Sequence, residues 1–349
     1  MDRRALSALA NLCSFLPVIR SSELTYTPAW WVPGTHLQTM WARLFRSAPM
    51  VATRMERWLT PDDDEIEIHR LDAPPGSDQR TPRLVLLHGL EGTIHSNYLL
   101  GTLAQARTRG WAADVLIFRG CGTQMNRQRR LYHSGETSDL HFVIRRLVGD
   151  HTGQPIVLVG FSLGGNVLLK WLGEQGYALP PEVRAAAAVS VPFDLERGAR
   201  RIEHGFSRIY TRHFLRTLKV KARQKLEQFP GLFDSDRLER ARTLYEFDDA
   251  VTAPVHGFRD AHDYYSRSSS LQYLSRIRLP TLLISAFDDP FVAPESLDSV
   301  LKEVRNNALL NAAFFSSGGH VGFVSGRSPL RPQYHAEERV VEFLAGEIP

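Results

Sequence analysis

The sequence predicts an α/β fold with a mostly parallel central sheet, helices on both faces and a helical segment inserted late in the chain. Three observations carry that prediction. Short β-rich apolar runs alternate with helix-length amphipathic segments, the pattern of parallel strands joined by helical crossovers. Several of those runs are apolar throughout, as strands covered on both faces should be. Of 349 residues, 43% are hydrophobic and 23% charged, proportions of a globular protein that exclude a disordered, collagenous or membrane-embedded chain.

The N-terminal segment is basic and then mostly apolar from Ala5 to Ile19, interrupted by Asn11 and Pro17. Its apolar stretch is too short to span a bilayer. Leu12 before Cys13 is a poor match to a lipoprotein cleavage site, so an N-terminal helix is expected. Residues 1–60 read as an extension packed on the core. Core strands are predicted at Glu65–His69, Leu84–His88, Ala113–Phe118, Ile156–Gly160, Ala185–Val191, Thr281–Ala286 and Leu309–Phe315. Helices fall between them, as at Tyr98–Thr108, Thr137–Leu147 and Leu163–Leu172. The strand rhythm stops between about Pro192 and Leu279, where the pattern is helical and rich in arginine and aromatic residues. Residues 61–191 and 280–349 are therefore read as the core and 192–279 as an inserted helical cap.

Charge is concentrated in that insertion. The formal net charge is only +4, yet Leu195–Pro230 holds ten Lys or Arg against three Glu, a local +7 beside a remainder near −3. Phe206, Ile209, Tyr210, Phe214 and Leu218 interleave with those charges at helical spacing, an apolar face suited to covering a site. No nucleic-acid module is present, so the basic segment reads as a cap first and as a contact with an anionic membrane surface second. Two cysteines, Cys13 and Cys121, build no disulfide framework and no metal-ligand spacing. The expected setting is cytoplasmic, with peripheral contact to the inner membrane through the basic segment, and the expected state is a monomer or weak homo-oligomer.

The motif that carries chemistry is Gly160-Phe161-Ser162-Leu163-Gly164. The bare G-x-S-x-G pattern is common, but here an apolar strand precedes it and a helix follows, which is what a nucleophile elbow requires. A serine hydroxyl is a weak nucleophile and needs a base, itself oriented by a carboxylate. In this chain order the acid precedes the histidine. His320 sits in the glycine-rich Gly318-Gly319-His320-Val321-Gly322 after the last strand, and Asp288-Asp289 follows the strand ending at Ala286. Asp289 is preferred as the acid, three residues beyond the small Ala286, with Asp288 bracing the turn. Oxyanion donors are expected from the amides of Leu163, next after the nucleophile, and Leu90, in His88-Gly89-Leu90-Glu91-Gly92. His88, at a strand end, reads as a brace for that loop. The arginine-rich loop Gly120–Thr137 either lines the site or packs as a surface loop tethered by Tyr132 and Asp139. His256, His262 and Asp263 are weak metal candidates.

Taken together, Trp30–Thr39, His88–Gly92, Phe118–Cys121, Tyr132–Asp139, Gly160–Asn166, Val191–Asp194 and Gly318–Phe323 resemble the YheT-like branch of the α/β-hydrolase superfamily, related to the ABHD-type lipid hydrolases. The resemblance runs over nearly the whole chain. It implies an α/β-hydrolase fold, a charge relay on Ser162, Asp289 and His320, no metal or organic cofactor, and short to medium acyl or monoacylglycerol-like esters as substrates. ABHD-type relatives often carry a membrane anchor; no stretch of spanning length occurs here, which favours a soluble or peripheral enzyme. A thioesterase or amidase would use the same three residues, and a non-catalytic binding protein of the same fold is the rival from another class.

Overall fold

The computed structural model describes residues 26–348 except 79; the N-terminal helix expected over residues 5–19, and Cys13, lie outside the described residues. In chain order the elements are α1 (Thr35–Phe45), β1 (Arg54–Leu59), β2 (Glu65–Leu71), β3 (Arg83–Leu87), α2 (Asn97–Thr108), β4 (Ala112–Ile117), α3 (Ser138–Asp150), β5 (Ile156–Phe161), α4 (Leu163–Gln175) and β6 (Val183–Val189). A wholly helical stretch follows, with α5 (Leu195–Ile202), α6 (Arg208–Gln228), α7 (Ser235–Arg240), α8 (Leu244–Phe247), α9 (Ala253–His256) and α10 (Ala261–Ser268). The chain then returns through β7 (Thr281–Ala286), α11 (Pro294–Asn306), β8 (Leu310–Phe315), the short hairpin β9 (Val324–Ser325) and β10 (Gln333–Tyr334), and α12 (His335–Gly346).

β1 to β8 form one sheet in the order β1-β2-β4-β3-β5-β6-β7-β8. From β4 across to β8 neighbours are parallel, while β1 and β2 are antiparallel additions at one edge. All seven sequence-predicted strands are present. β3, β4, β5 and β7 are buried along their whole length, which is why they read as unbroken apolar runs. Helices α2 and α12 pack together on one face of the sheet, and α3, α4 and α11 cover the other. The eighth strand, β1, was not predicted: of its six residues only Trp58 is buried, and an edge strand carrying Arg54, Glu56 and Arg57 has the charged character that keeps edges from aggregating. It lies within residues 1–60, the segment expected to be an extension packed on the core, and it pairs into the main sheet.

The order reverses around β3: the chain steps out to β4 and returns to β5 on the other side. The carboxyl ends of β3 and β5 therefore flank the topological switch point, where open α/β sheets leave a crevice for ligands. The helical stretch has two small cores of its own, one around Leu215, Phe233, Leu238 and Phe247 and one around Leu195, Ala261, Tyr264 and Tyr265.

Candidate active site

β5 ends at Phe161, Ser162 follows with φ +51°, and α4 starts at Leu163. A serine held at positive φ is strained, and the sharp turn presents its hydroxyl above the sheet edge. A Cβ on Gly164 would overlap the carbonyl oxygens of Leu87 and His88. Glycine there lets α4 begin hard against the loop that follows β3.

Ser162 Oγ lies 2.9 Å from His320 Nε2, and His320 Nδ1 lies 2.9 and 3.1 Å from the two carboxylate oxygens of Asp289. Asp289 is fully buried. It also accepts the Phe291 amide at 2.8 Å, and the Phe291 ring packs on the imidazole with centroids 4.1 Å apart. A carboxylate can only accept, so His320 donates from Nδ1 and its Nε2 is left to accept from the serine hydroxyl. Asp288 is engaged elsewhere: one oxygen accepts the Gly319 amide at 3.0 Å and the other the Thr35 hydroxyl at 2.8 Å.

The histidine loop is held from several sides. The His320 amide donates to Thr39 Oγ1 and the Val321 amide to Ser190 Oγ, both at 2.9 Å. Val321 and Phe323 stand at φ +56° and +43°, conformations that a β-branched or bulky residue keeps only where its surroundings over-determine them. Gly319, at φ +61°, is so close to α1 that a Cβ would meet the Thr35 carbonyl and Thr39. Thr35, Thr39 and Ser190 were not among the sequence candidates. Thr35 and Thr39 lay inside a stretch noted only for resemblance, and their four-residue spacing on a helix, which puts both on one face, was the available signal.

The loop after β3 is pinned on either side of Leu90. The Gly89 amide donates to the Tyr98 hydroxyl and the Glu91 amide to the Tyr132 hydroxyl, both at 2.9 Å. Neither the Leu90 nor the Leu163 amide finds a hydrogen-bond acceptor among the described residues. His88 accepts the Phe118 amide on Nε2 at 3.0 Å and donates from Nδ1 to the Gly89 carbonyl at 2.7 Å. Complete burial pushes its pKa down to about 4, so it braces the loop as a neutral ring. Glu91, at φ +56°, takes the Tyr132 hydroxyl at 2.8 Å and the Lys221 ammonium at 2.6 Å. Lys221 also reaches Cys121 Sγ at 3.1 Å, and burial pushes that thiol up to about 11. One lysine of α6 thus ties the helical stretch to the loop beside Ser162.

These groups open on a cavity of about 1100 Å³. Phe206, Ile209, Tyr210, Phe214 and Leu218, the apolar face expected of the insertion, all line it. Loop Gly120–Thr137 fits both of its readings. The buried Arg119 guanidinium, just ahead of it, donates to Asp139 at 2.7 and 2.8 Å and to Asp64 at 2.7 Å, and Tyr132 anchors to Glu91, while Leu131 to Ser134 line the cavity. His256, His262 and Asp263 do not converge: His256 packs at a tilt against His133, His262 pairs with Glu196 at 2.9 Å and Asp263 with Arg259 and Arg267.

Comparison with known proteins agrees with the architecture. Residues 82–326 match the family model of the alpha/beta hydrolase fold. YheT of Escherichia coli strain K12, provisionally named an esterase, is 40% identical over 332 residues, 93% of this chain and 94% of its own length. A monoacylglycerol lipase of Saccharomyces cerevisiae is 29% identical over 286 residues, 80% of this chain and 61% of its own. Among solved structures, the esterase Pf2001 of Pyrococcus furiosus superposes with a TM-score of 0.55 at 18% identity, covering 85% of this chain and 92% of that one. On the family match and the relationship to YheT together, the chain belongs to the α/β-hydrolase fold family.

Proposed function

We propose that the protein is a serine hydrolase of carboxylic esters, acting on short to medium acyl chains or monoacylglycerol-like lipids through an acyl-enzyme. The observation that carries this reading is the continuous relay from Ser162 through His320 to Asp289, with its hydroxyl end open to a large, mostly apolar cavity. Ser162 Oγ attacks the ester carbonyl as its proton passes to His320 Nε2, and Asp289 holds the ring orientation and offsets the charge on the imidazolium. The amides of Leu90 and Leu163 take the developing oxyanion; the pinning of Gly89 and Glu91 supports Leu90 as a preorganised donor. His320 then protonates the leaving alcohol and activates the water that frees the acid. No metal or organic cofactor enters these steps. In this reading residues 61–191 and 280–349 are the catalytic core and 192–279 its cap, joined through Lys221 and Glu91. The names of the YheT and yeast lipase relatives support ester and acylglycerol substrates. The test is labelling by a fluorophosphonate probe. Wild type should label and Ser162→Ala should not, and a wild type that fails to label under native conditions overturns the reading. Matched oxygen-ester, thioester and amide substrates separate the esterase from its thioesterase and amidase alternatives.

A second reading concerns location. No helix among the described residues is long and apolar enough to cross a membrane. The cavity rim nonetheless exposes Leu44, Phe206 and Ile209, at 57%, 53% and 52%. Arg43 lies 3.2 Å from His213 at the same rim, and neither Arg43 nor the nearby Arg216 has a carboxylate in ion-pair range among the described residues. We read this rim as a peripheral contact with an anionic bilayer. Co-sedimentation with vesicles should be stronger on phosphatidylglycerol-containing than on neutral membranes and weaken for the double variant Phe206→Ser, Ile209→Ser; absence of vesicle binding overturns it.

A further inference from the structure

The cavity wall carries a polar cluster that the ester chemistry does not use. There His133, from the loop after β4, and His256, from α9, pack at a tilt with centroids 4.4 Å apart, and Tyr264 of α10 stands edge-on to His133 at 5.5 Å. All three line the cavity. His133 is only 8% exposed, and its Nδ1 accepts the Gly135 amide at 3.1 Å, which puts the ring proton on Nε2. That Nε2 has no partner among the described residues and is not sealed from the cavity. His256 likewise makes no side-chain hydrogen bond among them. The Tyr264 hydroxyl accepts the Ser134 amide at 2.9 Å and stands beside the Ser134 hydroxyl. Burial lowers the pKa of both imidazoles. The charged groups nearby are already engaged: the two oxygens of Asp248, in the π-helical turn Asp248–Thr252, take the Thr252 and Tyr265 hydroxyls at 2.6 Å each, Glu136 pairs with Arg130 at 2.8 Å, and Lys170 pairs with Glu174.

Donors left facing a mostly apolar cavity are costly unless an arriving group satisfies them. Two neutral imidazoles offer one assigned N–H donor and at least one ring nitrogen able to accept. A hydroxyl, which donates and accepts at once, fits that set; a cation finds no free carboxylate and an anion no charged donor. We propose that His133, His256 and Tyr264 form a subsite for a hydroxyl-bearing part of the substrate, fixing which way the ester lies across Ser162. This deepens the esterase reading and rests on it.

The hydroxyl belongs either to the alcohol portion, as in a glyceryl monoester, or to a hydroxylated acyl chain. The experiment uses the full-length protein as wild type, His256→Phe and His133→Gln, with three substrates of one acyl length: glyceryl monodecanoate, methyl decanoate and the methyl ester of ω-hydroxydecanoic acid. Each variant should lose about tenfold or more in kcat/KM on a hydroxylated ester while staying within about twofold on methyl decanoate. Selective loss on the glyceryl ester assigns the hydroxyl to the alcohol side, and selective loss on the ω-hydroxy ester assigns it to the acyl side. A uniform loss across all three substrates, or no loss, overturns the subsite. If wild type turns over none of the three, the esterase reading itself falls, a result distinct from failure of the subsite alone.

Discussion

The adjacent carboxylates Asp288 and Asp289 offer a sharp test, because the structure gives them different work. Asp289 is fully buried and accepts from His320 Nδ1 and from the Phe291 amide. In Asp289→Asn the side-chain oxygen can serve the Phe291 amide only by turning its NH₂ group toward His320. The ring must then accept at Nδ1, its proton moves to Nε2, and Nε2 can no longer take the serine proton. A wrong tautomer of this kind lowers kcat by about 10⁴-fold, or about 5.5 kcal/mol of transition-state stabilisation. Asp288 instead accepts from the Thr35 hydroxyl and the Gly319 amide. Asparagine there can keep both contacts, its oxygen taking the Gly319 amide and its NH₂ donating to the Thr35 hydroxyl, at a cost of about 1 kcal/mol or less in loop stability, with kcat reduced by about tenfold or less. Steady-state p-nitrophenyl butyrate turnover measures both variants, and thermal melts confirm that each remains folded. Equal losses, or a larger loss in Asp288→Asn, would refute the assignment of the acid.

Other outcomes follow from the same geometry. Thr39→Val removes the acceptor of the His320 amide and should lower kcat by about tenfold with little change in KM, because the ring loses its register while the cavity walls stay; a KM effect alone would contradict this. Lys221→Met leaves the Glu91 carboxylate without its cation, and urea denaturation should show a loss of about 2–4 kcal/mol, moderated by the Tyr132 hydroxyl; unchanged stability would mean the ion pair is not what joins insertion and loop. The pKa of His256 is lowered to about 4, so between pH 6.5 and 4 the unfolded chain binds a proton there that the native state refuses. Stability from this group is present above pH 6.5 and lost as pH falls towards 4. His256→Phe should therefore flatten the acid side of the stability profile by up to about one proton, and a steeper profile would reverse the sign.

How much was legible depended on how local each determinant is. Ser162 stood out because strand, turn and helix are contiguous in sequence, and His320 because its glycine loop directly follows a strand. Asp288 and Asp289 differ by one position, and only their partners, Thr35 and Gly319 for one and His320 for the other, tell them apart. β1 escaped notice because pairing with β2, not burial of its own side chains, makes it a strand. Thr39, Ser190 and the Lys221–Glu91 bridge are contacts between distant segments, which a periodicity argument does not reach. The polar cluster in the cavity wall joins His133 to His256, 123 residues apart in sequence, and the π-turn beside it follows no regular period that a sequence pattern would reveal.

The bond between the His320 amide and Thr39 spans 281 residues. A ribosome releases the chain from its N-terminus, so Thr39 and the turn at Ser162 emerge long before His320 does. On the relay proposed above, catalytic competence therefore arrives late, when the segment carrying His320 folds back onto α1. A fragment trimmed to begin at β1 would keep every strand of the sheet while losing the helix that seats the histidine. For this enzyme, turnover is a more demanding gauge of finished folding than secondary-structure content.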